Sequence, residues 1–159
     1  MNEILKLIDK DCTYSASQIA SMLGMEERAV KHEIAELEEN RTILGYKAVI
    51  DWEKTDEEIV TALIEVRVTP TRGEGFDRVA ERIYQFDEVK SLYLMSGGYD
   101  LTVIITGKTL KEVALFVAQK LAPLDGVTGT ATHFILKKYK DDGVMYTQHQ
   151  PQQERIEMV

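Results

Sequence analysis

Ser15-Ala16-Ser17-Gln18-Ile19-Ala20-Ser21-Met22-Leu23-Gly24-Met25, followed by Glu26-Glu27-Arg28-Ala29-Val30-Lys31-His32-Glu33-Ile34-Ala35-Glu36-Leu37-Glu38, reads as two short amphipathic helices around a tight glycine turn. In the first helix Ile19, Ala20 and Leu23 share a face. In the second, Val30, Ile34 and Leu37 recur at i, i+4 and i+7, so each helix offers one apolar stripe to a common core. Gly24 stands where a helix C-terminus needs a residue that tolerates positive φ, and only Met25 separates it from the next helical pattern. Helices joined this tightly cross steeply and leave the polar face of the second one outside, free to enter a major groove. The same pattern also suits a small three-helix cluster that touches no nucleic acid.

Charge narrows the choice. Residues 26–39 hold six acids (Glu26, Glu27, Glu33, Glu36, Glu38, Glu39) against two bases (Arg28, Lys31), a balance of −4. A duplex repels such a helix unless its acids point away. Arg28, Lys31 and His32 fall at i, i+3 and i+4 and form one outward strip, while Glu36, Glu38 and Glu39 lie a turn or more downstream. Contact is therefore expected on the first half of the helix.

The whole chain has 159 residues, 19 basic and 27 acidic, and a net charge of −8, which lacks the basic surplus of a non-specific nucleic-acid binder. Affinity for DNA has to come from a local patch. The N-terminal segment, at about 45 residues, sits near the lower limit for independent folding. The lone Cys12 cannot form an intramolecular disulfide, and no apolar run reaches the roughly 18 residues that span a bilayer. Residues 1–10 alternate in helical fashion rather than as a leader peptide. A cytoplasmic protein with no membrane association is expected.

Outward from the opening stretch, an α+β organisation emerges. Residues 1–10 form a helix with Ile4, Leu5 and Ile8 inward, and Ser15 or Ser17 can cap the next one. Residues 40–45 end the third helix, residues 46–52 alternate partly as a strand, and residues 53–58 are a charged connector. Then come a β-branched run (59–68), a helix (75–86) with Phe76, Val79, Ala80 and Ile83 on one face, and strands at 89–95 and 99–106. A helix (110–121) and a strand (127–138) follow. The order β-α-β-β-α-β is ferredoxin-like, two crossover helices on one face of a four-stranded antiparallel sheet. The boundaries are a helix-turn-helix domain 1–45, a strand linker 46–58, a ferredoxin-like effector-binding and oligomerisation domain 59–141, and a Gln-rich polar tail 142–159 expected to be disordered. The strands place apolar side chains on both faces, with Leu101, Val103 and Ile105 against Ile104, and Leu63 and Val66 against Ile64 and Val68. A second bare face predicts sheet-to-sheet pairing with another copy.

Leu23-Gly24-Met25, Ala29-Val30, Ile34, Leu37-Glu38, Ile43, Gly45-Tyr46, Ala48-Val49 and Asp51, followed by a β-α-β-β-α-β domain with Gly98-Tyr99-Asp100 at its central turn, resemble the leucine-responsive regulator/AsnC family of transcription factors. The resemblance covers residues 2 to about 140. It implies an N-terminal domain that binds double-stranded DNA and a strand linker that pairs between subunits. It further implies a C-terminal domain that binds an amino acid or related metabolite, and a homodimer that assembles further, typically to an octamer. Carried over residue by residue, the DNA-facing set is Ser17, Arg28, Lys31 and His32, with Glu27 an acceptor for a cytosine amino group. Two positions depart from the family's pattern: Glu26 at the start of the reading helix, and Glu33 where arginine is common. Glu26 suits the helix dipole but opposes a nearby phosphate.

Residues 96–100, Ser96-Gly97-Gly98-Tyr99-Asp100, carry the small-molecule expectation. Glycines allow close backbone approach and expose N–H groups to a carboxylate, while Asp100 can receive an α-ammonium, a combination that suits a zwitterionic amino acid. A plain hairpin whose Gly97-Gly98 supplies turn geometry and whose Asp100 caps its own backbone is the alternative. Thr130, Thr132 and His133 on the last strand are expected near the same edge. Catalysis finds little support: His32, His133 and His149 are widely separated, Cys12 has no evident base, and neither metal-ligand spacing nor a cofactor motif appears. Two other readings remain open, a sensing and assembly module without DNA binding, and a sirohaem decarboxylase-like enzyme for which His133 is the only candidate.

Overall fold

The computed structural model describes residues 2–70 and 72–146, and the chain divides into two units, Met1–Val49 and Ile50–Val159. In the first, the Asn2 side chain accepts hydrogen bonds from the Ile4 and Leu5 N–H groups and caps α1 (Glu3–Lys10). Helix α2 (Ala16–Leu23) opens on Ser15, not Ser17, through a reciprocal capping box with Gln18. Gly24 closes it at φ 64°, and the chain re-enters a helix within three residues as α3 (Glu27–Glu39). Ile4, Ile19, Ala20 and Val30 are buried together, with Leu7, Ile8, Leu23 and Ile34 packed around them. Leu7, rather than the expected Leu5, joins this core because it stands three residues after Ile4 on the same helical face.

The second unit is a four-stranded antiparallel sheet in the order β2-β3-β1-β4, made of β1 (Val60–Val68), β2 (Val89–Leu94), β3 (Leu101–Gly107) and β4 (Val127–Phe134). Helices α4 (Asp77–Tyr84) and α5 (Leu110–Phe116) are the two crossover elements, so the fold is the expected α+β, ferredoxin-like one. Their Val79, Ile83, Val113 and Phe116 bury Ala62, Ile64, Val66, Val103 and Ile105. Helix α5 continues as one π turn, Val117–Leu121. That turn carries Lys120, whose Nζ lies 2.6 Å from Glu88 and over the Phe86 and Phe116 rings, 5.7 Å from each centroid. The hydrogen bond from Lys120 holds the Glu88 carboxyl below its ordinary pKa. A depressed carboxylate stabilises the fold above its unfolded pKa and loses that contribution as pH falls. Glu88→Gln should therefore melt closer to the parent at pH 3–4 than at pH 7, a comparison made by thermal scans at about four pH values.

Three expectations need correction. Register places Ile64, Val66 and Val68 on one face, toward the helices, so Val66 does not share a face with Leu63. The open face carries Thr61, Leu63, Glu65 and Arg67 of β1 beside Thr102 and Ile104 of β3 and His133 of β4, which makes it amphipathic rather than apolar throughout. Residues 46–51 pair with no strand among the described residues, and a short 3-10 turn, Trp52–Lys54, follows. A hairpin of β5 (Lys140–Asp141) and β6 (Val144–Met145), turned by Asp142 and Gly143 at positive φ, places its turn and second strand in the expected structureless tail. The Asp-Gly pair is a common hairpin turn sequence. The rest of the expected tail, from residue 147, lies outside the described residues.

Candidate functional site

Helix α3 starts without a side-chain cap at Glu26 and has Glu27 in its first turn. Val30 is buried and Ile34 and Leu37 half-buried, which turns Glu27, Arg28, Lys31 and His32 to solvent on the other side. The expected strip therefore exists, on the first half of the helix. Two of its side chains face acids one turn away: Lys31 Nζ pairs with Glu27 at 2.5 Å, and His32 Nδ1 lies 3.5 Å from Glu36. Arg28 has no ion-pair partner among the described residues. Ser17 is exposed in the first turn of α2, where its carbonyl accepts the Ser21 hydroxyl.

The acids divide by partner. Glu33 accepts from Asn2 Nδ2 at 2.6 Å, so this departure from the family pattern ties α3 to the cap of α1. Glu38 accepts from the Tyr46 hydroxyl at 2.8 Å, which raises the tyrosine's pKa because its neutral form is the donor. Sequence reasoning missed both bonds, since each joins residues on different segments.

In the second unit, residues 96–100 connect β2 to β3. Asp100 Oδ2 accepts the Val68 N–H at 2.8 Å, and the Asp100 N–H donates to the Val66 carbonyl at 3.1 Å. One face of the carboxylate thus anchors the end of β1. The Tyr99 hydroxyl lies 3.2 Å from Thr102 Oγ1. Gly97 and Gly98 lie outside the left-handed region, and a Cβ on either would meet no atom within 4 Å. Turn geometry does not explain them.

Thr132 and His133 are not brought to this turn within one chain. They sit on β4, with β3 and β1 between them and β2. They also point apart: Thr132 pairs with Ile64 on the helix side, and His133 with Leu63 on the open face, 3.5 Å from Glu65. Thr130 pairs with Val66, which bonds to Asp100, but faces the helices too. A strand alternates its side chains, so adjacent residues cannot serve one pocket on one face. Among the described residues no group of His, Cys, Asp or Glu is placed to hold a metal ion, and no helix is long and apolar enough to cross a membrane.

The sequence profile of the Lrp/AsnC ligand binding domain matches residues 61–145. The uncharacterised HTH-type transcriptional regulator YugG of Bacillus subtilis is 53% identical over 145 residues, 91% of this chain and 87% of that protein. The HTH-type transcriptional regulator LrpA of Pyrococcus abyssi is 33% identical over 137 residues, 86% of this chain and 94% of its own length. Among solved structures, the feast or famine regulatory protein of M. tuberculosis complexed with L-methionine superposes with a TM-score of 0.72 at 20% identity, covering 87% of this chain and 91% of that one.

Proposed function

This chain belongs to the Lrp/AsnC family of HTH-type transcriptional regulators, not to the enzymes, and from that premise we propose that an amino-acid effector controls how it assembles and reads DNA. The DNA-facing residues in this reading are Ser17, Glu27, Arg28, Lys31 and His32. The effector turn is Gly97, Gly98, Tyr99 and Asp100. What carries the effector assignment is the glycine pair that the turn itself does not need. A residue without a side chain, at a position where the fold would accept one, leaves room for something outside the chain. The Gly97 and Gly98 N–H groups make no backbone hydrogen bond among the described residues and are available to a carboxylate. The second Asp100 oxygen is available to an ammonium. That a relative was solved with L-methionine fits the same chemistry.

Assembly completes the scheme. The stretch 46–51 has strand alternation and exposed Tyr46, Val49 and Ile50, yet its backbone finds no partner strand among the described residues, so in this reading a second copy supplies one. The open sheet face, with Leu63 and Ile104 among polar neighbours, offers a further surface for a two-fold homodimer, and such dimers associate into a higher oligomer, an octamer in this scheme. Two reading helices in one dimer then meet successive half-sites. The test is to select bound fragments from genomic DNA and titrate the best one with each common amino acid, L-methionine first, while following mass by light scattering. One amino acid should shift both DNA affinity, by about 5- to 150-fold, and subunit count. Unchanged affinity and mass across the whole set would remove the effector reading and leave the regulator.

A further inference from the structure

Of the three side chains on the α3 strip, two are held by acids one turn away along the same helix, and the arrangement is not symmetrical. Glu27 occupies the first helical position, the part of a reading helix that meets base edges, and Lys31 bonds to it from the next turn. Glu36 stands on the far side of His32, a further turn toward the C-terminus. Glu33 and Glu38 are engaged by Asn2 and Tyr46, away from the strip. Glu39 has no ion-pair partner among the described residues and lies in the last turn.

We propose that Glu27 is a specificity-determining residue that acts through its pair with Lys31: it withholds the lysine from non-specific phosphate and, on the cognate site, accepts from a cytosine amino group while Lys31 donates to a neighbouring guanine. This rests on the DNA-binding reading of α3. The physical argument concerns what each kind of DNA offers the pair. Non-specific affinity comes almost wholly from cations releasing counterions at phosphates. For Lys31 to contribute there it must leave Glu27, and the freed carboxylate then faces a polyanion without a partner. A base edge presents both signs. The major-groove edge of cytosine carries an N4 amino donor, and that of guanine carries the O6 and N7 acceptors. A carboxylate and an ammonium held side by side can open onto a C and a G at adjacent positions with both charges still satisfied. The feature that weakens α3 as a general DNA binder thus selects for a G·C-containing step. The net charge of −8 has the same consequence, since little else on the chain promotes indiscriminate binding.

The test compares Glu27→Gln with Glu39→Gln, two changes of equal charge on the same helix, only one of which touches a paired cation. The full chain of each is measured on a DNA fragment chosen by selection with the parent and on random-sequence duplex of equal length, across a salt series. Glutamine keeps the size of the side chain and removes its charge. In Glu27→Gln, non-specific affinity should rise about eightfold at 0.1 M salt, and its log–log salt slope should steepen by about 0.9, for each lysine released. Renewed selection should relax or change the preference at one base position per half-site. Glu39→Gln should alter affinity by less than about twofold and leave base preference unchanged. The proposal is overturned if both variants raise non-specific affinity equally, which would make the effect one of bulk charge. It is overturned equally if Glu27→Gln selects the same bases as the parent. A parent that enriches no sequence and binds no duplex at low salt would instead remove the DNA-binding reading on which all of this stands.

Discussion

Arg28→Ala should abolish most binding to the selected DNA site, a loss of about 60-fold at 0.1 M salt, while the variant melts within a degree or two of the parent. Arg28 is exposed, stands one residue beyond Glu27 in α3, and is the cation of the strip with no ion-pair partner among the described residues. Its side chain contributes nothing to the buried cluster of Ile4, Ile19, Ala20 and Val30, so the fold has no reason to suffer. The dimer proposed above would lose two such contacts. At about 0.9 in the salt slope per phosphate, each contact is worth roughly eightfold at 0.1 M salt, which gives the expected loss and a slope lower by about 1.8. Fluorescence anisotropy on a labelled fragment over a salt series reads both numbers. If Arg28 reads guanine instead of phosphate, the affinity loss persists but concentrates on the selected site, and the slope changes less. Parent-like affinity on both the selected and random duplexes would contradict the assignment of α3 as the reading helix.

How much of this was legible beforehand depended on whether the signal was local. The helix pair, its glycine turn and the outward placement of Arg28, Lys31 and His32 follow from helical period alone, because Val30, Ile34 and Leu37 fix which side faces in. The order of strands and helices in the second unit was legible for the same reason, each element announcing its own period. Misreadings arose where two distant segments decide the outcome. Val66 is the exception, since alternation within β1 alone puts it with Ile64 and opposite Leu63, three residues away. Strand order alone suggests Thr130, Thr132 and His133 near the edge of the glycine turn, but β3 and β1 separate β4 from β2, and a strand sends neighbours such as Thr132 and His133 to opposite faces. The anchoring of Val68 by Asp100 and of Asn2 by Glu33 spans about thirty residues in each case and leaves no periodic trace. The strand-like run 46–51 is a different matter. Its pattern is plain in the sequence, but a strand exists only when paired, and the described residues supply no partner strand.

Gly98→Ala should give the opposite combination from a damaged fold: a thermal midpoint equal to the parent's or slightly higher, and an effector affinity lower by at least about tenfold. Two observations set the first half. The backbone at Gly98 lies outside the left-handed region, and an added Cβ would contact nothing within 4 Å. Under those conditions alanine removes freedom from the unfolded chain without straining the folded one, a gain of about 0.4–1 kcal/mol. The second half follows from what occupies the empty space in the proposed function. A carboxylate hydrogen-bonded to the Gly97 and Gly98 N–H groups has to approach the main chain closely, and a methyl group there holds it off by more than a hydrogen bond tolerates. A tenfold loss corresponds to about 1.4 kcal/mol. Reciprocity then requires that the effector, bound more weakly, also shifts the DNA titration less at any given concentration. Isothermal titration with the amino acid found active on the parent, together with the DNA curve measured at that concentration, reads both consequences. Asp100 makes a poorer probe for this purpose, because its carboxylate also holds the Val68 N–H and its loss would loosen β1 whatever the effector does. Should Gly98→Ala keep full effector affinity while gaining stability, the turn is an ordinary connection between β2 and β3, and the effector lies elsewhere on the second unit.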